Sequence, residues 1–415
     1  MDRNNLLLYT HEYPYGLGET FLETEINYLA KTFNRIIIIP CKSTTTVRSV
    51  PDGIKINDSL AKRADKSSLS RLFEGITASL LNSFTIRELI SMPSLFTNQQ
   101  SFYRLFNMQG GAKWVHRITH EILRDYNMNP NETVAYSYWL DFSTLGITRP
   151  DLKRRGLKTV SRGHGYDIYD FIYSPPYIPY KKKIMNDLDQ MVFISENGRN
   201  YTTSRIPSVS ERSVISRLGV HDPGFISKGT GEGHLHIVSC SKIVPVKQLH
   251  LLVDALVCLG KLSSRLKVRW THIGDGPLEG RIMKECKDKL PQNIRYIFAG
   301  QLSNREVMEF YRNNEVDVLV NVSSSEGIPV TMMEAQSCGI SVCARAVGGV
   351  PEIVDNNNGS LLRKDSGPVE IAEALILFAE AEYRSHRSKL SRLNWEKNYN
   401  AEKNYSEFCS ILKNI

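Results

Sequence analysis

Two short apolar runs, each closed by a glycine turn, follow one another between residues 316 and 354, and they restrict what this chain can fold into. Val316–Val320 (VDVLV) reads as a buried strand, and Ile340–Ala344 reads as a second one. Between them lies SSSEGIPVTMMEAQSCG, whose GIPVT leaves a strand and opens a helix; after the second run comes VGGVPE, Val347–Glu352. Strand, loop, helix, strand, loop in succession puts both loops at one edge of a parallel α/β sheet, the edge where such sheets bind ligands.

The residue types in the first loop suit an anion or a polyol. Pro329 fits a first helical turn, where its missing N–H is not needed. The peptide N–H groups of Gly327, Ile328, Val330 and Thr331 are then unpaired and face whatever binds there. Glu326 lies before the helix and Glu334 one to two turns inside it, so the two carboxylates can grip two parts of one elongated ligand. Paired glutamates and Gly-x-Pro helix openings are common in themselves; the second glycine turn is what makes the pattern selective.

The same alternation runs along the chain. Asn5–Thr10 is a strand, followed by a loop holding Gly16 and Gly18, then a helix over Thr20–Lys31; Arg35–Pro40 is a buried strand. Strand, glycine loop, helix is the layout of a backbone that approaches phosphate, and equally of a plain tight turn. Residues 42–70 are expected to be loop, and Leu69–Ile118 helical with many aromatic and apolar side chains. Thr133–Tyr138, Leu157–Ser161 and Gln190–Ser195 are further strands. Gly163-His164-Gly165 follows the second of these, with Asp167 close by, which puts an imidazole on a glycine loop at the sheet edge. After a glycine-rich stretch, Gly229–Gly233, the strand His234–Cys240 leads to Lys242 and Lys247, one on a loop and one at a helix start. Lys267–Gly274 and Ile294–Gly300 are strands, and Ser303 with Glu306 forms a capping box. The last piece, Tyr383–Ile415, is helical.

A chain of 415 residues is too long for one core, so two domains are expected. The first 220 residues carry 28 Lys+Arg against 21 Asp+Glu, +7 of the total +8, and the remainder 24 against 23. No basic–aromatic RNA motif or recognition helix accompanies that excess, so nucleic acid is not the expected partner; an anionic membrane surface, an acidic acceptor or a solvated basic face is. The N-terminus lacks a signal-peptide pattern, and no run reaches the ~18 apolar residues of a membrane span. Seven cysteines without a C-x-x-C pair suit buried thiols in a reducing compartment. Asp187-Leu-Asp189 precedes a strand rather than following it, so no bound metal is expected.

SSSEG-x-P-x-x-x-x-EA…VGG-x-x-E resembles the donor site of the family 4 retaining glycosyltransferases, and RGHGYD resembles that family's H-G-x-D loop. The resemblance implies an α/β GT-B fold, two Rossmann-like doubly wound domains facing across a cleft. It divides the chain into an acceptor-side domain, 1–220, a donor-binding domain, 221–385, and a helix crossing back, 386–415. Carried over residue by residue, it gives His164, Glu326 and Lys247 as catalytic. It gives Gly16, Gly18, Lys242, Lys247, Phe298, Gly300, Leu302, Glu326, Gly327, Ile328, Pro329, Val330, Thr331 and Glu334 as donor-binding. Where the family shows G-R-L-x-x-x-K-G, this chain has Ser241, Lys242 and Gln248: both cations remain, but arginine's bidentate grip does not. The implied function is retaining transfer of a sugar from a nucleotide diphosphate sugar, such as a UDP-sugar or GDP-mannose, to a glycan or lipid-linked glycan acceptor in capsule, exopolysaccharide or lipopolysaccharide synthesis. It needs no cofactor or metal, and the setting is cytoplasmic, at the inner face of the membrane. A nucleotide-sugar 2-epimerase of the same fold and a non-catalytic nucleotide-sugar binding protein are the alternatives; a glycosidase would leave the two lysines unexplained.

Overall fold

The computed structural model describes residues 3–16, 18–80 and 82–415. The chain forms two compact units, Met1–Arg217 with Tyr405–Ile415, and Leu218–Asn404. The C-terminal piece expected as one element, 386–415, is thus divided at residue 404.

Unit 1 is a seven-stranded sheet with the order β3-β2-β1-β4-β5-β6-β7. Its strands are β1 (Asn5–Thr10), β2 (Arg35–Pro40), β3 (Lys55–Ile56), β4 (Thr133–Ser137), β5 (Lys158–Gly163), β6 (Gln190–Phe193) and β7 (Ser213–Ile215), all parallel. β1 and β2 match the expected spans, because continuous Leu/Ile runs suit strands covered on both faces. The short edge strands β3 and β7 carry no such run and escaped the sequence reading. β5 extends to Gly163, two residues past its expected end; a Cβ there would meet Ile168 and Met191 at 2.6 and 2.7 Å, so the strand end packs too closely for a side chain.

The helices of unit 1 are α1 (Phe21–Thr32), α2 (Ser68–Ser79), α3 (Ser83–Ser91), α4 (Gln99–Asp125), α5 (Phe142–Ile147), α6 (Pro150–Arg154), α7 (Lys181–Asp187) and α8 (Glu196–Thr203). α4 lays Val115, Ile118 and Ile122 on the β1–β2 face, beside Leu7, Tyr9, Ile37 and Ile39. α2 packs on α4 through its small face. Gly75 and Ser79 are buried, and a Cβ on Gly75 would stand 2.0 Å from the Phe106 carbonyl oxygen, while Leu69, Phe73 and Ile76 remain exposed. Among the described residues no helix is long and apolar enough to cross a membrane.

Unit 2 is a six-stranded parallel sheet, β10-β9-β8-β11-β12-β13. Its strands are β8 (His234–Cys240), β9 (Lys267–Ile273), β10 (Ile294–Phe298), β11 (Val318–Asn321), β12 (Ser341–Arg345) and β13 (Gly359–Leu362). The helices are α9 (Leu249–Leu262), α10 (Glu279–Lys289), α11 (Asn304–Asn313), α12 (Val330–Ser337), α13 (Pro368–Ile376) and α14 (Ala381–Asn398), with α15 (Ala401–Lys413) closing the chain. Ser303 and Glu306 form the expected capping box at α11. All seven cysteines are free thiols.

Candidate active site

In a doubly wound sheet the crevice for a ligand opens where the strand order reverses, outside the carboxyl ends of the strands. In unit 2 that point lies between β8 and β11. Lys247 follows β8 and Glu326 follows β11; Lys247 Nζ donates to Glu326 Oε1 at 2.6 Å, and Asn321 Nδ2 donates to the same oxygen at 3.0 Å. The cation thus already has an anionic partner that a stronger anion can replace. Lys242 is exposed on the same loop.

Glu334 sits inside α12, 6% exposed, and accepts from Asn304 Nδ2 at 2.5 Å. Burial pushes its carboxyl pKa up to about 7, against the opposing hydrogen bond from Asn304. The two glutamates have separate partners, as their spacing led us to expect. Pro329 differs from expectation: it is the residue before the helix, with extended backbone, and α12 starts at Val330. No side chain caps that helix start, so its first N–H groups, near Val330 and Thr331, are available to a ligand.

The glycines explain how these loops come together. Gly348 has φ +55°, and a Cβ on it would stand 1.8 Å from the Glu326 carbonyl oxygen; Gly349 N donates to the Gly327 carbonyl at 2.9 Å, and its own Cβ would press on Ile328. The turn after β12 therefore lies backbone to backbone on the turn after β11. Gly274 and Gly276, after β9, approach the carbonyls of Ser241 and Ile243 in the same way. Phe298 ends β10 against Trp270 and His272, Gly300 takes a left-handed turn at φ +71°, and Leu302 is half-buried beyond it. Arg345 was not singled out from the sequence. From the end of β12 its Nη1 donates to Gln248 Oε1 and, at 3.3 Å, to the Val322 carbonyl, so an arginine does stand beside the Lys247 loop.

In unit 1 the strand order reverses between β1 and β4. His11, just after β1, meets Asp141, at the start of α5 after β4: His11 Nε2 lies 2.7 Å from Asp141 Oδ2. Burial pushes the His11 pKa down, but the hydrogen bond and charge of Asp141, with Glu19 and Asp167 nearby, leave it raised. Glu19 holds this corner together, its carboxylate accepting from the N–H groups of His11, Glu12 and Tyr13 and from Trp139 Nε1 at 2.6–2.8 Å. His11, Trp139 and Asp141 went unnoticed in the sequence, although His11 directly follows β1 and the other two lie in the short turn between β4 and α5.

His164 is 8% exposed, packed against Trp139 at 4.3 Å and Tyr138 at 4.6 Å between ring centroids. Both of its ring nitrogens lack a hydrogen-bond partner; Asp167 is 3.7 Å away, too far for one. Asp167 instead accepts from the N–H groups of His164 and Gly165 at 2.9 Å, which accounts for the H-G-x-D spacing as a loop clasp. Gly16 and Gly18 wrap a carboxylate of their own chain: Gly18 N donates to Glu12 Oε1, and a Cβ on either glycine would collide with Glu12.

Asp189 accepts from Thr159 N and Oγ1 and from Lys158, and Asp187 pairs with Lys183, so the D-x-D triplet ties strands and helix together. One group among the described residues has ligand spacing for a metal ion: His116, His120 and Asp151, on α4 and α6. The Arg155 guanidinium donates to His120 Nδ1 at 2.8 Å, which leaves the proton on Nε2, donating to Asp151. These contacts satisfy the group as a hydrogen-bond network.

Solved structures of like fold include the lipopolysaccharide outer core galactosyltransferase WaaB. Its TM-score is 0.67 at 13% identity, over 98% of this chain and 99% of that one. Another is Anabaena Alr3699/HepE in complex with UDP and glucose, with TM-score 0.64 and 12% identity over 99% and 100%. The two sheets are those of the GT-B fold. Residues 225–398, the greater part of unit 2, match the family described as glycosyl transferases group 1, and with the curated relatives this marks the protein as a glycosyltransferase. Similar curated proteins include the putative colanic acid biosynthesis glycosyltransferase WcaL of Salmonella typhimurium, 24% identical over 68% of this chain and 71% of that one. The amylovoran biosynthesis glycosyltransferase AmsK of Erwinia amylovora is 23% identical over 50% and 52%.

Proposed function

We propose that the protein moves a sugar from a nucleotide diphosphate sugar to a glycan or lipid-linked glycan acceptor, with retention at the anomeric centre, in surface polysaccharide synthesis. The observation that carries this is the Lys247–Glu326 pair across the reversal point of unit 2, beside the uncapped start of α12. A diphosphate there takes Lys247 from Glu326 and gains the N–H groups and positive dipole end of the helix. Glu326, released, accepts from hydroxyls of the donor sugar, and Glu334 from those of the ribose. Lys242 and Arg345 add charge that stabilises the leaving diphosphate. No divalent metal is required, because cations and backbone N–H groups supply the neutralisation. The names of WcaL and AmsK, both concerned with bacterial polysaccharides, support the pathway class. Incubation with a panel of UDP- and GDP-sugars should release the nucleoside diphosphate, and the NMR coupling constant of the product decides the anomeric configuration. An inverted product ends the retention reading.

The acceptor side has a surface suited to a peripheral contact with an anionic membrane at its cytoplasmic face. α2 and α3 expose Leu69, Phe73, Ile86 and Ile90, and Lys183 and Arg87 lie over the Phe84 ring at 4.2 and 5.7 Å. Sedimentation with anionic vesicles should fall as salt rises; no binding at low salt favours a soluble acceptor.

A further inference from the structure

The reversal point of unit 1 carries a second polar pair, His11–Asp141, and its hydrogen bonds fix which ring nitrogen is free. Asp141 Oδ1 accepts from Ser143 N at 2.7 Å as the cap of α5, so its carboxylate cannot rotate, and Oδ2 is committed to His11 Nε2. A carboxylate only accepts, so Nε2 carries the proton and Nδ1 of the neutral ring presents its lone pair. That lone pair meets the Tyr166 hydroxyl at 3.3 Å, long for an O–H···N bond and on a side chain 38% exposed. A better-placed hydroxyl can take its position.

The surroundings indicate which class of ligand brings that hydroxyl. The His11 ring stacks on Trp139 at 5.4 Å and on Tyr166 at 6.2 Å. Next to it opens a cavity of about 270 Å³ whose walls include Arg104, Asn107, Asp141, Tyr166 and Tyr173. Ring faces alternating with hydrogen-bonding groups suit a pyranose, which has C–H faces and a rim of hydroxyls. The charges facing His11 are the carboxylates Asp141, Glu19 and Asp167, so a neutral polyol is favoured there and a phosphate is not. Cavities of about 450 Å³ elsewhere, one beside Arg35 and Lys55 and one beside Trp114 and His116, lie away from the carboxyl ends of the strands.

We propose that this corner of unit 1 is a pyranose site in which His11 Nδ1 accepts the hydrogen bond of the acceptor's hydroxyl, replacing Tyr166. Asp141 is the positioning residue that holds the ring, Trp139 backs the His11 ring, and Tyr166 and Tyr173, which line the cavity, pack on the sugar's C–H faces. The assignment to the acceptor rests on the transfer reading above. A protonated His11 cannot accept, so sugar binding weakens as pH falls through the His11 titration, which Asp141 holds above the ordinary histidine value.

The test is side-chain NMR of the full chain labelled with [¹³C]histidine, the His11 signal being assigned by its loss in His11→Gln. Methyl pyranosides of glucose, galactose, mannose and N-acetylglucosamine are titrated in at pH 7.5, with inorganic phosphate as a control. At least one pyranoside should move the His11 signal saturably. In Asp141→Asn the His11 titration should shift to lower pH and the sugar response weaken at least tenfold. If that variant does not fold, Tyr166→Phe, which removes the competing hydroxyl and keeps the ring, must leave the response at least as strong as in wild type, and a weaker response overturns the site. A His11 signal that no pyranoside moves, or that only phosphate moves, overturns the site. Thermal shift with UDP- and GDP-sugars runs in parallel. Nucleotide-sugar binding without a His11 response overturns this inference alone, and a His11 response without nucleotide-sugar binding overturns the transfer reading alone.

Discussion

The two units share one topology and put different chemistry at the same place in it. In each, the first strand of the sheet is central and the order reverses beside it, between β1 and β4 and between β8 and β11. Unit 2 fills that point with Lys247 and Glu326, held by glycines that let backbone lie on backbone. Unit 1 fills it with His11, Asp141 and stacked rings, held by the buried carboxylates of Glu19 and Asp167. A sheet of this kind supplies a crevice, and the side chains at the strand ends decide whether it suits a phosphate or a neutral ring.

The stability of unit 1 behind its crevice depends on an ion pair buried at both ends, whereas in unit 2 the buried Asp317 pairs at 3.0 Å with Arg384, which keeps some exposure. Arg162 on β5 and Glu25 on α1 are both fully buried and paired, with Arg162 also over the Phe408 ring at 3.9 Å. Glu25→Ala leaves the guanidinium uncompensated and should cost about 3–5 kcal/mol by urea denaturation. If two transitions are resolved, only that of unit 1 should move; an unchanged curve would mean the pair is not buried as described. Gly348→Ala is the corresponding break in unit 2. Its left-handed backbone and the 1.8 Å approach to the Glu326 carbonyl should cost about 2–4 kcal/mol, read in the unit 2 transition.

Lys247→Ala tests the difference in chemistry. It should weaken nucleoside diphosphate binding by about 1.5–3 kcal/mol, some 10- to 100-fold, while nucleoside binding and the His11 signal stay as they are. Equal losses for nucleoside and diphosphate would remove Lys247 from the phosphate site. The smallest effect is that of Glu334→Gln. The folded carboxyl, raised to about 7, holds a proton that the unfolded chain releases near its ordinary value, about 4.5. Between those values the folded state binds more protons, so this group's contribution to stability falls as pH rises from about 4.5 to above 7. Replacing it by Gln should therefore raise the unfolding free energy at pH 8.5 relative to wild type by more than at pH 5, by an amount on the order of 1–3 kcal/mol, read by urea denaturation at the two pH values. A difference that does not depend on pH would contradict the raised value.

Much of this was legible in the chain because it is local. Strands such as RIIIIP and HLHIVSC, the Ser303–Glu306 cap, and the H-G-x-D clasp each depend on residues within a few positions of one another, so their spacing carries them. The Glu326 loop and the helix that carries Glu334 were found for the same reason. The partners of those residues were not local: Lys247 and Glu326 are 79 positions apart, Asn304 and Glu334 are 30, and His11 and Asp141 are 130. The sequence by itself determined the central strands and the glycine and acidic residues of the turns that follow them. Only the tertiary structure decided which ends become neighbours. Strand order is set by long-range pairing and crossover packing, and no periodicity within one segment encodes it.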